Sequence, residues 1–287
     1  MRTLLLLGVC YATVAYLVIN PMAYPLWICV LILIPFITLH SSLQHEFLHG
    51  HPFRSQLLND LLVVVSLGVF IPYFRFKETH LKHHDNSIVS DPIEDPESWY
   101  LLEEDWNKIS KFQQKLLTLN NTLFGRILFG PALSLTKFTL CELIHGDRRI
   151  RLTWLIHTLL MTGYLWVLSV YASMPIWAYL ICCYFGLSLL GIRTFLEHQA
   201  HENITARTVI IERKGFFSFL FLNNNFHSVH HGYPNVAWYR IPALFERNRD
   251  RFLGKNNSYY FESYSEIFVK YFFKAKEPVI YPIKRKL

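Results

Sequence analysis

Histidine stands out in this sequence of 287 residues, because it occurs 14 times and mostly in short clusters. Residues 80–84 and 227–231 both have the pattern H-x-x-H-H, and residues 45–49 have the pattern H-x-x-x-H. On a helix, residues three and four positions apart lie on one face, so each segment presents two or three imidazoles to a common point. Neutral imidazole is the commonest metal ligand in proteins, and the spacing therefore predicts metal binding.

The number of histidines favours two metal ions over one. Zinc usually takes four ligands and an octahedral ion takes six, fewer than the eight or nine histidines of these clusters. Two redox-active ions with open coordination positions would allow dioxygen to bind, whereas a zinc hydrolase would leave most of the histidines unexplained. A metal transporter is the alternative from another class, but transporters place their ligands near the bilayer midplane, where this chain has almost no ionisable residue.

Four long apolar stretches predict membrane-spanning helices. They cover about residues 3–19, 24–43, 152–172 and 174–192, each near the ~20 residues needed to cross the hydrocarbon core. Turns at Asn20-Pro21 and Met174-Pro175 join them into two hairpins. Two further apolar stretches, residues 57–74 and 122–141, contain charges and proline, and we expect them to lie in the membrane interface.

The positive charges predict how the chain is oriented in the membrane. Residues 40–151 hold twelve Lys and Arg, residues 197–287 hold fourteen, and the two short turns hold none. Under the positive-inside rule, both large polar blocks and both termini are cytoplasmic. The predicted fold is an all-α integral membrane protein with a single domain over 1–287, in which a cytoplasmic helical cap (44–151 and 193–287) carries the histidines. The basic residues form no stripe beside a recognition motif, which argues against nucleic-acid binding.

The histidine segments resemble the three histidine boxes of the membrane-bound fatty acid desaturase and hydroxylase superfamily. HEFLH at 45–49 is similar to the first box, and HLKHH at 80–84, followed by DPIEDPE at 91–97, is similar to the second. NFHSVHH at 225–231 resembles the third box of bacterial-type desaturases. FLEH at 195–198 resembles the segment that carries an additional ligand after the last span. Together these motifs are specific for the superfamily but not for its substrates.

The resemblance implies a di-iron centre with nine histidine ligands. These are His45, His49, His80, His83, His84, His198, His227, His230 and His231. Four acids adjoin ligand positions, where a carboxylate accepts the second ring N–H of a ligand; the alternative for each is an ordinary surface acid. They are Glu46, Asp85, Asp95 and Glu197. His201, like His40 and His51, has no clear counterpart in the boxes and is interpreted as a neighbour of the ligands or as polar surface. His157 lies within the third span, away from any box.

By the same resemblance, the protein is an O2-dependent oxidoreductase that introduces a double bond into the acyl chain of a lipid. The alternative is hydroxylation of a lipid or alkyl chain by the same two iron ions (Fe2+/Fe3+). An aliphatic C–H bond is not acidic, so a cofactor must supply the chemistry. The sequence has no C-x-x-C pair and no His-Pro-Gly-Gly element. We therefore expect a separate electron donor, either a ferredoxin, a rubredoxin or a b-type cytochrome. In a bacterium, the expected location is the plasma (inner) membrane.

Overall fold

The computed structural model describes residues 1–20, 23–85 and 87–283, so Pro21 of the predicted first turn lies outside the described residues. The main elements are helices, which confirms the all-α prediction. The helices are α1 Arg2–Ile19, α2 Leu26–Leu48, α3 Gln56–Val63, α4 Tyr73–His83, α5 Glu103–Lys108, α6 Lys111–Asn120, α7 Leu123–His145, α8 Arg148–Tyr171, α9 Ile176–Thr194, α10 Phe216–Leu220, α11 His227–Gly232, α12 Ile241–Arg247, α13 Arg249–Lys255 and α14 Tyr264–Tyr271. Two short strands, β1 Ile210–Ile211 and β2 Tyr260–Phe261, pair in parallel.

Five helices in the described part of the chain are long and apolar enough to cross a membrane. Four of them, α1, α2, α8 and α9, correspond to the predicted spans, so a count of exactly four is not confirmed. The fifth is α7, which continues through Pro131 and reaches 23 residues. A proline inside a helix removes one backbone hydrogen bond, and such prolines are tolerated in long apolar helices where neighbouring groups satisfy the freed carbonyl.

The chain divides into two compact units, of which the first contains residues 1–77 and 131–190. Within this unit α2 and α9 pack closely, since the Thr38 hydroxyl donates to the Gly186 carbonyl at 3.0 Å. A Cβ atom at Gly186 would lie 2.9 Å from Ile37 Cγ2, so this contact requires glycine. A buried ion pair joins Arg75 and Glu142 at 2.7 Å, as expected for charges that are removed from water.

Helix α3, also in the first unit, has its apolar face outward. Leu57 and Leu61 are exposed, whereas Asp60 is buried. The Asp60 carboxylate accepts hydrogen bonds from the Tyr73 hydroxyl at 2.7 Å and from the Lys77 ammonium at 2.6 Å. A helix that exposes leucines and buries a paired carboxylate has the composition expected next to lipid.

The second unit contains residues 78–130 and 191–287 and has its own hydrophobic core. The core is formed by Ile210, Phe226, Val229, Ile241, Phe245 and Phe252. Phe226 directly precedes α11 and Val229 lies within it, so the core holds the helix that carries the third histidine segment. The Ser228 N–H donates to the Val209 carbonyl at 3.0 Å, which fixes α11 against the segment that leads into β1.

Candidate metal centre

Four histidines of the second unit form one group, which we call the four-histidine group. His83 is the last residue of α4, His198 follows α9, and His227 and His231 lie one turn apart on α11. The Nε2 atom of His198 lies 2.8 Å from Nε2 of His83 and 3.0 Å from Nε2 of His227. One ring nitrogen from each of the four lies within 4.8 Å of the others, close enough for a shared metal ion.

Three more histidines of the second unit form the three-histidine group. His80 lies on α4, His84 directly follows this helix, and His230 lies on α11. The Nε2 atom of His84 lies 3.0 Å from Nε2 of His80 and 3.1 Å from Nε2 of His230. The two groups are neighbours, because the rings of His84 and His231 stack with centroids 4.4 Å apart.

Each H-x-x-H-H segment divides between the two groups instead of meeting at a common point. His80 and His84 belong to one group and His83 to the other, while His227 and His231 belong together and His230 does not. An α-helix turns about 100° per residue, so positions i+3 and i+4 lie about 100° apart around its axis. The i, i+4 pair therefore points to one site, and the histidine between them points to a second.

The first histidine segment lies in the first unit, on α2. His45 and His49 are both buried, and their rings are in edge contact with centroids 4.9 Å apart. Like the i, i+4 pairs in the other two segments, they are four positions apart and share one side of the helix.

In two of the histidines, a carboxylate lies at hydrogen-bond distance from Nδ1, the outer nitrogen that points away from the group. Asp95 Oδ1 lies 2.7 Å from Nδ1 of His83, and Glu97 Oε1 lies 2.7 Å from Nδ1 of His80. Asp95 is itself held by backbone N–H groups of Ser90 and Glu97, at 2.8 and 2.9 Å. Sequence reasoning missed Glu97 as a site residue, although its place two residues after Asp95 in the same acidic segment was a usable signal.

A second polar network supports His227. Glu197 accepts from the Asn224 side-chain amide at 2.7 Å and lies 2.8 Å from the Arg193 guanidinium. Because the Asn224 amide nitrogen donates to Glu197, its Oδ1 faces Nδ1 of His227, at 3.2 Å, and accepts the ring N–H. This arrangement directs the other nitrogen, Nε2, into the four-histidine group. Asn224 was not found from the sequence, because its role depends on a contact with a distant residue.

The remaining predicted residues lie in different surroundings. Glu46 is buried on α2. Asp85 accepts hydrogen bonds from the N–H and the hydroxyl of Ser87, at 3.1 and 2.7 Å. His201 is half-buried, and its Nδ1 accepts from the backbone N–H of Asn203 at 3.0 Å.

Four histidines of the first unit lie outside the paired pattern, and one of them, His145, is exposed at the end of α7. His40 is buried on α2, with its Nε2 3.1 Å from the Tyr11 hydroxyl. His157 donates from Nε2 to the Val69 carbonyl at 2.8 Å. His51 is half-buried in the segment after α2. The contact of His157 with a backbone carbonyl is that of a structural histidine.

Burial keeps most of the rings of the second unit neutral. It lowers the pKa below the ordinary value for His80, His198, His227 and His231, and the neighbouring rings add to the effect for the last three. Burial and the adjacent rings also lower the pKa of His84 to about 3. For His83, burial acts in the same direction, but Glu97 and Asp95 outweigh it and raise the pKa to about 9. Neutral imidazoles have a free lone pair for a metal ion.

The two groups fit metal ions of the first transition row. An ion bound by imidazole at about 2.1 Å separates neighbouring ligand nitrogens by about 3.0 Å when the angle between them is 90°. Four nitrogen separations within the groups, from 2.8 to 3.1 Å, agree with this value. The carboxylates on the outer nitrogens are the partners that metal-bound histidines usually have.

Long apolar helices together with buried histidine groups define a membrane protein that can bind metal. The family model described as fatty acid desaturase matches residues 19–264, which is most of the chain. The chain therefore belongs to the fatty acid desaturase family, which confirms the resemblance seen in the histidine segments and indicates an oxidoreductase. No curated protein and no solved structure was found to match it.

Proposed function

We propose that this protein is a di-iron oxidoreductase that uses O2 to introduce a double bond into the acyl chain of a membrane lipid. The observation that carries the proposal is the division of seven histidines of the second unit into two groups. Both groups have nitrogen separations that suit a metal ion, and both have a carboxylate on an outer nitrogen. When bound, a pair of iron ions supplies the oxidising power that an unactivated C–H bond requires.

Asp95 and Glu97 would orient their histidines for the metal. Each carboxylate accepts the N–H of Nδ1, which directs Nε2 into the histidine group and holds the plane of the ring. Asn224 acts in the same way on His227. These side chains therefore determine the position of the nitrogens before a metal ion arrives.

His45 and His49 complete the proposed set of nine ligands. The similarity of residues 45–49 to the first box supports this assignment, as does the burial of both rings on α2. His45→Ala should therefore lower the bound iron. His40→Gln is the matched control on the same helix, because the His40 ring contacts Tyr11 and has no counterpart in the boxes.

We further propose that α1, α2, α8 and α9 cross the bilayer and that α7 lies along its cytoplasmic interface. Lysines 108, 111 and 115 precede α7, and arginines 148, 149 and 151 follow it. Positive charge on both sides of one helix favours placing both of its ends in the cytoplasm. The substrate chain is then supplied by the membrane, and a separate ferredoxin, rubredoxin or b-type cytochrome delivers two electrons per turnover.

Expression in a host that lacks the activity, followed by mass spectrometry of its lipids, tests the reaction. Desaturation lowers the mass of the product by about two units, whereas hydroxylation raises it by about sixteen. His230→Ala should abolish either product and lower the bound iron, while the exposed His145→Ala should change neither. Full turnover by His230→Ala would show that the three-histidine group has been misassigned.

A further inference from the structure

A continuous run of phenylalanine rings crosses the surface of the second unit. Phe217 of α10 stacks on Phe268 of α14 with centroids 5.9 Å apart, and Phe268 stacks on Phe272 at 6.3 Å. Phe216 and Phe273 extend the run at its two ends, through contacts with Phe217 at 5.4 Å and with Phe272 at 4.7 Å. We define the phenylalanine ridge as Phe216, Phe217, Phe268, Val269, Phe272 and Phe273.

Half of the ridge is strongly exposed. Phe216 is 61% exposed, Val269 is 89% exposed and Phe273 is 76% exposed. The inner rings, Phe217 and Phe268, pack against each other and hold α10 and α14 together, so the exposed side chains belong to one fixed surface. A contiguous apolar patch of this kind marks a surface that is covered in the working protein.

The ridge ends against the first turn of α7. The ring of Phe124 lies 5.8 Å from Phe272 and 5.5 Å from Phe273, centroid to centroid. The Phe124 N–H also donates to the Phe272 carbonyl at 3.0 Å. Leu128, one turn further along α7, is exposed. The ridge is therefore continuous with the outward surface of an apolar helix that, on the proposed topology, lies at the membrane interface.

Positive charges accompany the exposed end of the ridge. Lys270 and Lys274 are exposed and lie next to Val269 and Phe273 in the sequence. The Lys270 ammonium lies 5.1 Å from the centroid of the Tyr271 ring, so its stem runs along aromatic surface. Glu262 and Glu266 lie near the other end of α14, and Glu277, which follows the ridge in the sequence, is paired with Lys276. Exposed aromatic side chains beside lysines are typical of elements that lie in the interface of an anionic bilayer.

We infer that the phenylalanine ridge inserts into the headgroup region of an anionic membrane and anchors the second unit there, separately from the spanning helices. Val269 and Phe273 would enter the boundary between headgroups and acyl chains. Lys270 and Lys274 would contact lipid phosphates. The inference rests on the proposed placement of α7, but not on the reaction that the protein catalyses.

Spin labels in nanodiscs test this placement. The single cysteine variants Val269→Cys and Phe273→Cys would be labelled in a Cys141→Ser background, because Cys141 is the exposed native cysteine among the described residues. Glu104→Cys on α5 is the matched control, since it is exposed and has acidic neighbours that anionic lipid would repel. Collision with O2, which concentrates in lipid, is compared with collision with a water-soluble nickel chelate.

The labels at 269 and 273 should collide more with O2 than with the chelate, and the label at 104 should show the reverse. The preference for O2 should decrease when phosphatidylglycerol is replaced by phosphatidylcholine, and also in the Lys270→Glu, Lys274→Glu variant. Water-like accessibility at 269 and 273 would overturn the inference. Shielding from both reagents would also overturn it, since it would indicate that another protein or a second copy covers the ridge. Bound metal and lipid products, measured on the same samples, report on the proposed function independently.

Discussion

The two histidine groups of the second unit have the same ligand chemistry but different support. In the four-histidine group, Asp95 holds His83 with a side chain that is 1% exposed, and Asn224 holds His227. The Lys276 ammonium also donates to the backbone carbonyl of His198. Three of the four ligands are therefore fixed by a polar contact outside the group.

The three-histidine group differs in the exposure of its carboxylate. Glu97 contacts Nδ1 of His80, and the Glu97 side chain is 28% exposed. A hydrogen bond that water can replace constrains a ring less than one in a dry site. We therefore expect the four-histidine group to hold its metal more tightly, even though both groups take histidines from the same two H-x-x-H-H segments.

Replacing one histidine in each group should give the clearest test of the expected difference in metal affinity. After dialysis, His84→Ala should keep the metal of the intact four-histidine group. His231→Ala should lose metal from both groups, because only the more weakly binding three-histidine group is left intact. Activity should fall in each variant by more than the ~100-fold typical for loss of a supporting residue, because a ligand itself is missing. Metal analysis of the purified proteins measures the difference. Equal metal content in the two variants would show that the groups are equally strong.

Replacement of the buried carboxylate should have the next largest effect. In Asp95→Asn the amide accepts a weaker hydrogen bond from His83, and metal affinity should fall by ~10–100-fold. Asp85→Asn is the matched control, because its partner is Ser87 and it should bind metal like the wild type. Competition with a chromophoric chelator gives both affinities. An unchanged affinity in Asp95→Asn would mean that the backbone alone positions His83.

Glu97→Gln should weaken the three-histidine group, but by less than Asp95→Asn weakens the other. The Glu97 side chain is partly exposed, so water can accept the N–H of His80 in its place. We expect a loss near the lower end of the ~10–100-fold range. The same chelator titration applies, with Glu94→Gln as a control from the same segment. A larger loss than in Asp95→Asn would reverse the predicted order of support.

The sequence was sufficient to predict the long apolar helices and the pairing of histidines four positions apart, because both depend on local patterns. Apolar length predicts a helix such as α8, and a four-residue spacing predicts that His227 and His231 share a side. The supporting contacts depend on tertiary structure: Asn224 meets Glu197 across 27 positions of the chain, and Lys276 meets His198 across 78. No local pattern marks such a partner. The full length of α7, 23 residues with Pro131 inside it, was likewise not predicted, because its charges and proline interrupt the apolar pattern.

Replacing Lys276 should have the smallest effect on metal binding of these changes, and the effect should be confined to one of the two groups. In Lys276→Met the side chain keeps its length, but the His198 carbonyl loses a charged donor. The lost contact is made to the backbone of His198 and not to its ring, so the change in metal affinity should stay below ~10-fold. The Lys276 ammonium contacts a histidine of the four-histidine group and also pairs with Glu277. We therefore expect the metal of the four-histidine group to dissociate faster while that of the three-histidine group does not. Lys255→Met, at an exposed position on α13, is the control. Stopped-flow removal of metal by a chelator separates the two phases. Faster dissociation of metal from the three-histidine group as well would show that the Lys276 contact stabilises the whole second unit and not one histidine. The difference in support between the two groups would then depend on Asp95 and Asn224.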